Sequence, residues 1–152
     1  MRLVLASQSP SRKRLLEGAG LHPEIIVSHV DEETEHFSAM SPVDMVIALA
    51  ITKAHTVREQ IEGDAIIIGC DSTFEFEGES LGKPLTAANA IARAKTLSGK
   101  TGILHTGHCI IDTAKGIEVS DVASTPVKFV SMSDDEIESY VATGEPLNVA
   151  GG

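Results

Sequence analysis

Arg12, Lys53 and Lys83 are three cations, and Asp71 and the acidic run Asp31-Glu32-Glu33 are carboxylates, whose places in this 152-residue chain suit chemistry on a polyphosphate. Arg12 stands two residues after Ser9-Pro10, an N-cap followed by proline at the first helical position. Helical spacing puts it on the side of Leu15, Leu16 and Ala19, the face expected to meet the core. A guanidinium there, beside the free N–H groups of a first helical turn, makes an anion site with Ser7 and Ser9. The plainer alternative is an arginine paired with a carboxylate at the edge of the core. Lys53 lies roughly 60° from Ala50 on a helical wheel, so it either reaches into a cleft or snorkels to solvent. Asp71 follows the apolar run Ile66-Ile67-Ile68-Gly69-Cys70. A carboxylate at the carboxyl end of a central strand can ligate a divalent cation or take a proton from water; it can also merely cap a turn. Together these groups suit a metal-assisted attack on a polyphosphate, with Asp71 and one of Asp31 to Glu33 as the acids.

Several familiar templates are absent. Gly82-Lys83-Pro84 is no P-loop, because Glu77 and Pro84 stand where that motif needs Gly and Ser or Thr. Ser98-Gly99-Lys100-Thr101 fails as well, with Ala94 at the first glycine position. His105 and His108 are three apart in an expected strand, face opposite sides and read as structural. Cys70 and Cys109 read as reduced core thiols, neither a disulfide framework nor a metal site.

The elements that must position these groups follow from the pattern. Leu3 to Ala6 and Ile25 to Val27 read as strands, 10–20 as a helix, and the polar stretch Asp31 to Ser38 as a loop. Ser41-Pro42 opens a long helix whose stripe is Val43, Ile47, Ala50, Ala54, Val57 and Ile61. Residues 64–70 form a strand buried on both faces that ends at Asp71, and Phe74 to Gly78 a short hairpin. A helix over 86–97, strands over 101–112 and 117–130, and a last helix from the capping box Ser133 to Glu136 complete the series. Strands interleaved with helices predict one α/β domain over 1–152, a mixed twisted sheet flanked by helices with its cleft at the strand carboxyl ends.

Composition excludes other classes. A net charge of −10 disfavours nucleic-acid binding, which needs clustered cations on phosphates. No apolar run approaches the ~20 residues of a membrane span, and the first residues are too short for a signal peptide. The chain is thus expected to be cytoplasmic, without nucleic-acid or membrane partners.

Six blocks in order carry a resemblance: Leu5-Ala6-Ser7-Gln8-Ser9-Pro10-Ser11-Arg12, Val30-Asp31-Glu32, Ala50-Ile51-Thr52-Lys53-Ala54, Gly69-Cys70-Asp71-Ser72, Leu81-Gly82-Lys83-Pro84 and Thr143-Gly144-Glu145-Pro146-Leu147. They resemble the Maf family, nucleoside triphosphate pyrophosphatases also described as septum-formation-inhibitor-like proteins. The resemblance implies a Maf/ITPase-like fold, a divalent cation (magnesium or manganese), a homodimer, and cleavage of a nucleoside triphosphate to monophosphate and pyrophosphate in nucleotide house-cleaning. It implies Asp71 as catalytic base or metal-linked carboxylate and Glu32 as the second acid. Ser7, Ser9, Arg12, Lys53 and Lys83 would hold the triphosphate. Ser11 and Ser72 depart from the family: the thymidine- and uridine-triphosphate branch resembles Ser-Pro-Arg-Arg and Asp-Thr at these places, and the 7-methyl-guanosine branch Ser-Pro-Trp-Arg. Base preference is therefore open at Ser11 and Ser72. The family continues beyond the place where Asn148-Val149-Ala150-Gly151-Gly152 stands here, so a longer native protein is expected. Two other readings compete: a nucleotide-binding regulator of septum formation without turnover, and a house-cleaning enzyme for modified purine triphosphates.

Overall fold

A computed structural model describes residues 2–152. Along the chain run β1 (Arg2–Ala6), α1 (Pro10–Gly18), β2 (Glu24–Ile25), α2 (Glu35–Ser38), α3 (Pro42–Arg58), β3 (Ala65–Phe76) and β4 (Glu79–Leu81). They are followed by α4 (Ala87–Leu97), β5 (Thr101–Asp112), β6 (Ile117–Lys128), α5 (Asp134–Ala142) and a 3-10 turn at Glu145–Asn148. The strands form one sheet in the order β2-β1-β3-β5-β6, with β4 also on β3. β1 runs parallel to β2 and β3, while β4 is antiparallel to β3, so the expected mixed α/β sheet is present. No helix among the described residues is long and apolar enough to cross a membrane. The chain divides into two compact units: unit one is the segment through Asp71 with Thr106–Ala123, and unit two is Ser72–His105 with Ser124–Gly152.

In unit one, Val4, Ala6, Ala50, Ala54, Val57, Ile67 and Cys109 share one core. Small residues on α3 let it lie directly on the sheet. A Cβ added to Gly69 would fall on the Ala50 carbonyl oxygen and 2.8 Å from Ala54 Cβ, and one added to Gly107 would fall on Val46. These contacts set the rotation of α3. Its buried residues are Val46, Leu49, Ala50, Lys53, Ala54 and Val57, while Val43 and Ile47, expected in the stripe, are only half-buried. The stripe is thus displaced at its N-terminal end toward the residues that meet Gly107.

Other elements differ from their sequence pattern. α1 has no fully buried residue and Leu15 is 75% exposed, so its inward side is narrow, with Arg12 and Leu16 half-buried one turn apart. Ser9 makes no side-chain cap bond. The expected loop 31–38 contains α2, anchored by buried Phe37. β3 does not stop at Asp71 but runs on to Phe76, because Phe74 to Phe76 gain β4 as an antiparallel partner. Ile66 and Ile68 are half-buried, so burial on both faces begins only at Gly69.

In unit two the expected hairpin turns at Glu77 and Gly78, both with positive φ, the conformation of a type I′ turn. Phe74, Phe76 and Leu97 form one cluster; Ala90, Ile137 and Val141 join α4 to α5 in another. α5 carries the predicted capping box. Buried His105 bonds Glu75 at 2.8 Å and Ser124 at 2.7 Å, as expected of a structural histidine.

Gly69→Ala is expected to destabilise the fold by about 1–3 kcal/mol, the usual cost of overpacking a tight contact, and a denaturant melt measures it. The same core keeps its thiols inert. Burial, with Glu118 beside it, pushes the Cys109 thiol up to about 11, and burial also raises Cys70. A raised thiol pKa leaves stability untouched below its ordinary value and removes it as pH climbs toward 11. Both cysteines should therefore resist a thiol reagent at pH 8 until the protein is unfolded, which a timed absorbance assay reads.

Candidate active site

The parallel pairing of β1 with β3 ends at Ala6 opposite Gly69. Just past it the two chains diverge, β1 into Ser7 and the turn to α1, β3 into Cys70 and Asp71. Arg12, on the first turns of α1, reaches back into this gap. Its Nη1 donates to Ser7 Oγ at 2.9 Å and to the Cys70 carbonyl at 3.1 Å. Ser7 Oγ also accepts the Ser9 backbone N–H at 3.2 Å, so Ser7, Ser9 and Arg12 form one connected turn.

Asp71 lies two residues beyond Gly69 in an extended strand, which turns its side chain to the same face of the sheet. That face is covered by α3, and Lys53 immediately precedes the Ala54 that rests on Gly69. The consequence is direct. Lys53 Nζ donates to Asp71 Oδ1 at 2.6 Å, with each residue only 7% exposed. A second carboxylate, Glu32 Oε1, sits 2.7 Å from the same ammonium, with its own side chain about half in solvent at 51%. Local geometry selects Glu32 from its neighbours: Asp31 Oδ1 accepts the Glu33 N–H at 3.1 Å, closing a turn that commits Asp31 to the backbone. Lys53 therefore reaches inward rather than snorkelling.

The electrostatics are balanced on this lysine. Burial pushes the Asp71 carboxyl above the ordinary carboxylate value; the Lys53 charge and hydrogen bond oppose that rise, Glu32 adds to it, and Arg12 lowers it slightly. A buried ammonium or carboxylate alone would cost several kcal/mol, so each makes the other tolerable. Among the described residues no group of three or more His, Cys, Asp or Glu is arranged to hold a metal. Two carboxylates converging on one ammonium nevertheless fit a magnesium-like ion, which takes one or two protein carboxylates and completes its shell with phosphate oxygens and water. Asp71 and Glu32 would be the ligands.

The remaining candidates belong each to its own unit. Ser11 is exposed on α1, where Arg14 Nη2 lies 3.5 Å from its hydroxyl. Ser72 is the half-buried first residue of unit two, and Lys83 is exposed in that unit between β4 and α4. Residue types did not flag the Cys70 carbonyl as the acceptor for Arg12. A backbone oxygen carries no sequence signal; the one hint on offer, a glycine inside a strand pattern at Gly69, is a general mark of close backbone approach.

Comparison with known proteins gives the family. Residues 2–152 match the family described as Maf-like protein. A protein of Streptomyces coelicolor named nucleoside triphosphate pyrophosphatase is 53% identical over 152 residues, covering 99% of this chain and 72% of the relative. One of Prochlorococcus marinus with the same name is 49% identical over 150 residues, covering 99% and 79%. A crystal structure of a nucleoside-triphosphatase / dITP/XTP pyrophosphatase from Mycobacterium abscessus overlaps 84% of this chain and 72% of its own at 16% identity and a TM-score of 0.43, too distant to support an argument. With a match over nearly its whole length and relatives about half identical, this chain belongs to the Maf-like protein family.

Proposed function

We propose that this chain hydrolyses nucleoside triphosphates to nucleoside monophosphate and pyrophosphate. The observation that carries the reading is the buried Lys53 ammonium held between Asp71 and Glu32, beside the Ser7-Ser9-Arg12 turn. A negatively charged protein needs a local pocket of cations to accept a triphosphate, and Arg12 and Lys53 supply it. The relatives' name supports the same reading.

Asp71 is the general base. It takes a proton from water while the water oxygen bonds to the α-phosphorus; the bond from that phosphorus to the bridging oxygen breaks and pyrophosphate departs with the electron pair. Lys53 opposes the rise that burial imposes on the Asp71 carboxyl and aims it through their hydrogen bond. Arg12, with Ser7 and Ser9, holds phosphate oxygens at the start of α1, where free N–H groups add to the attraction. A divalent cation, magnesium or manganese, would be held by Asp71 and Glu32 and would neutralise charge gathering on the phosphate oxygens. Lys83 is assigned a phosphate contact on the strength of its Leu81-Gly82-Lys83-Pro84 block, and Ser11 and Ser72 are the positions where base preference is set. The protein acts in the cytoplasm as a homodimer in this reading.

The test is pyrophosphate release from a panel of canonical and modified triphosphates with magnesium or manganese. Asp71→Asn, near-isosteric but unable to take the proton, should lower turnover by ~10²-fold or more while circular dichroism stays unchanged. Mutant turnover equal to wild type would overturn the assignment of Asp71. Chelation should silence the wild type, and added magnesium or manganese should restore it; turnover indifferent to chelation counts against the cation. Tight triphosphate binding with no pyrophosphate release would instead favour the septum-formation regulator.

A further inference from the structure

We propose that Asn89 and Arg93 of α4 are positioning residues for Lys83, bracing the segment that carries it so that its ammonium meets the triphosphate from a fixed place. The inference rests on the phosphate role given to Lys83 above.

Gly82, Lys83, Pro84 and Leu85 lie between β4 and α4 in no regular element, and Lys83 itself is exposed. A lysine is a point charge on a long flexible stem, so where its ammonium settles depends on how firmly its backbone is held. Here both flanking carbonyls are held from one helix face. Arg93 Nη1 donates to the Gly82 carbonyl, and Asn89 Nδ2 donates to the Pro84 carbonyl at 3.1 Å. Asn89 and Arg93 are four apart, hence neighbours on one side of α4, and the two bonds straddle Lys83. α4 is itself anchored at this end, since the Thr86 side chain accepts the Asn89 N–H at 3.2 Å.

Two further observations point to a segment held against its own preference. Leu85 sits at φ 65°, in the left-handed region that a leucine rarely adopts, and its N–H is fastened to the Leu147 carbonyl at 3.1 Å. Such a conformation persists only where the surroundings over-determine it. Arg93 also reaches Gly82 along a mainly apolar wall: Phe76, Leu81, Ala92 and Arg93 line an open cavity of about 290 Å³. An arginine half-buried beside these groups and bonded to one carbonyl aims the backbone. It does not make an ordinary surface ion pair.

The experiment measures dissociation constants for a non-hydrolysable triphosphate analogue with magnesium, using the full chain. Arg93→Met keeps the stem and removes the donor; Arg93→Lys keeps a donor; Asn89→Ala removes the second bond. Arg93→Met and Asn89→Ala are expected to weaken binding by roughly three- to tenfold each, the scale of one lost hydrogen bond, with Arg93→Lys recovering most of the loss. In a Lys83→Ala background Arg93→Met should cost nothing further, because the brace acts through Lys83. Additive losses in that double variant, or losses matched by a drop in melting temperature with no rescue by lysine, would overturn the proposal and leave a purely structural brace. Unchanged binding in Lys83→Ala would also overturn it, and loss of wild-type turnover on Asp71→Asn would then show that the functional reading itself still stands. Failure of the wild type to bind the analogue would mark the loss of the functional reading itself.

Discussion

Helix α3 rests on bare backbone. At Gly69 there is no room for a methyl group beneath the Ala50 carbonyl, and at Gly107 none beneath Val46. Packing this close fixes both the height and the rotation of the helix over the sheet, since interiors packed to crystal-like density deform little. The position of Lys53 follows, because it is the next residue before the Ala54 that touches Gly69. The position of Asp71 follows too, two residues along the strand on the same face. A larger residue at 69 would lift the helix and separate an ion pair that tolerates little movement at 2.6 Å. Core packing and site geometry in unit one are therefore the same constraint seen from two sides.

That ion pair is asymmetric. Asp71 and Lys53 are buried while Glu32 is half in solvent, so one carboxylate has an environment that favours its neutral form and the other keeps water close. Burial raises the Asp71 carboxyl above the ordinary carboxylate value. Lys53 moderates that rise. It offsets the burial of Asp71 and ties Glu32, on an otherwise irregular segment, to the core of the unit.

Arg12 does comparable work on the backbone. By bonding Ser7 Oγ and the Cys70 carbonyl it bridges the point where β1 and β3 separate, so the first turn of α1 is tied to the strand that carries Asp71. Unit two uses the same device at a second place, with Arg93 and Asn89 bonded to carbonyls on either side of Lys83. In both units polar side chains on helices hold the backbone next to a candidate phosphate ligand. Sites whose supporting groups are themselves held lose less freedom on binding.

The elements themselves were largely legible in order and type: the strands flanking α3, the cap at Ser41, the capping box at Ser133 and the two long strands β5 and β6 all answer to local pattern. Arg12, Lys53 and Asp71 stood out as candidates because each is a charged group on or beside an apolar stretch. Among the places that local pattern misjudged, three show the physical reason. β3 was expected to end at Asp71 and instead continues, since a strand's length depends on whether β4 is there to pair with Phe74 to Phe76. The stripe on α3 was displaced because glycines on two strands distant in sequence decide which face the helix presents. The side of α1 expected to meet the core included Leu15, which is exposed, because a helix tied down through Arg12 needs little apolar burial. Residue types alone also left Lys53 between cleft and solvent and left Glu32 among its neighbours. Lys53 had to meet Asp71, 18 residues along the chain, and Glu32 on a separate segment before those choices closed. Sequence determines what a residue can do within a few turns of itself; which charges share an ammonium is decided only when separate segments pack.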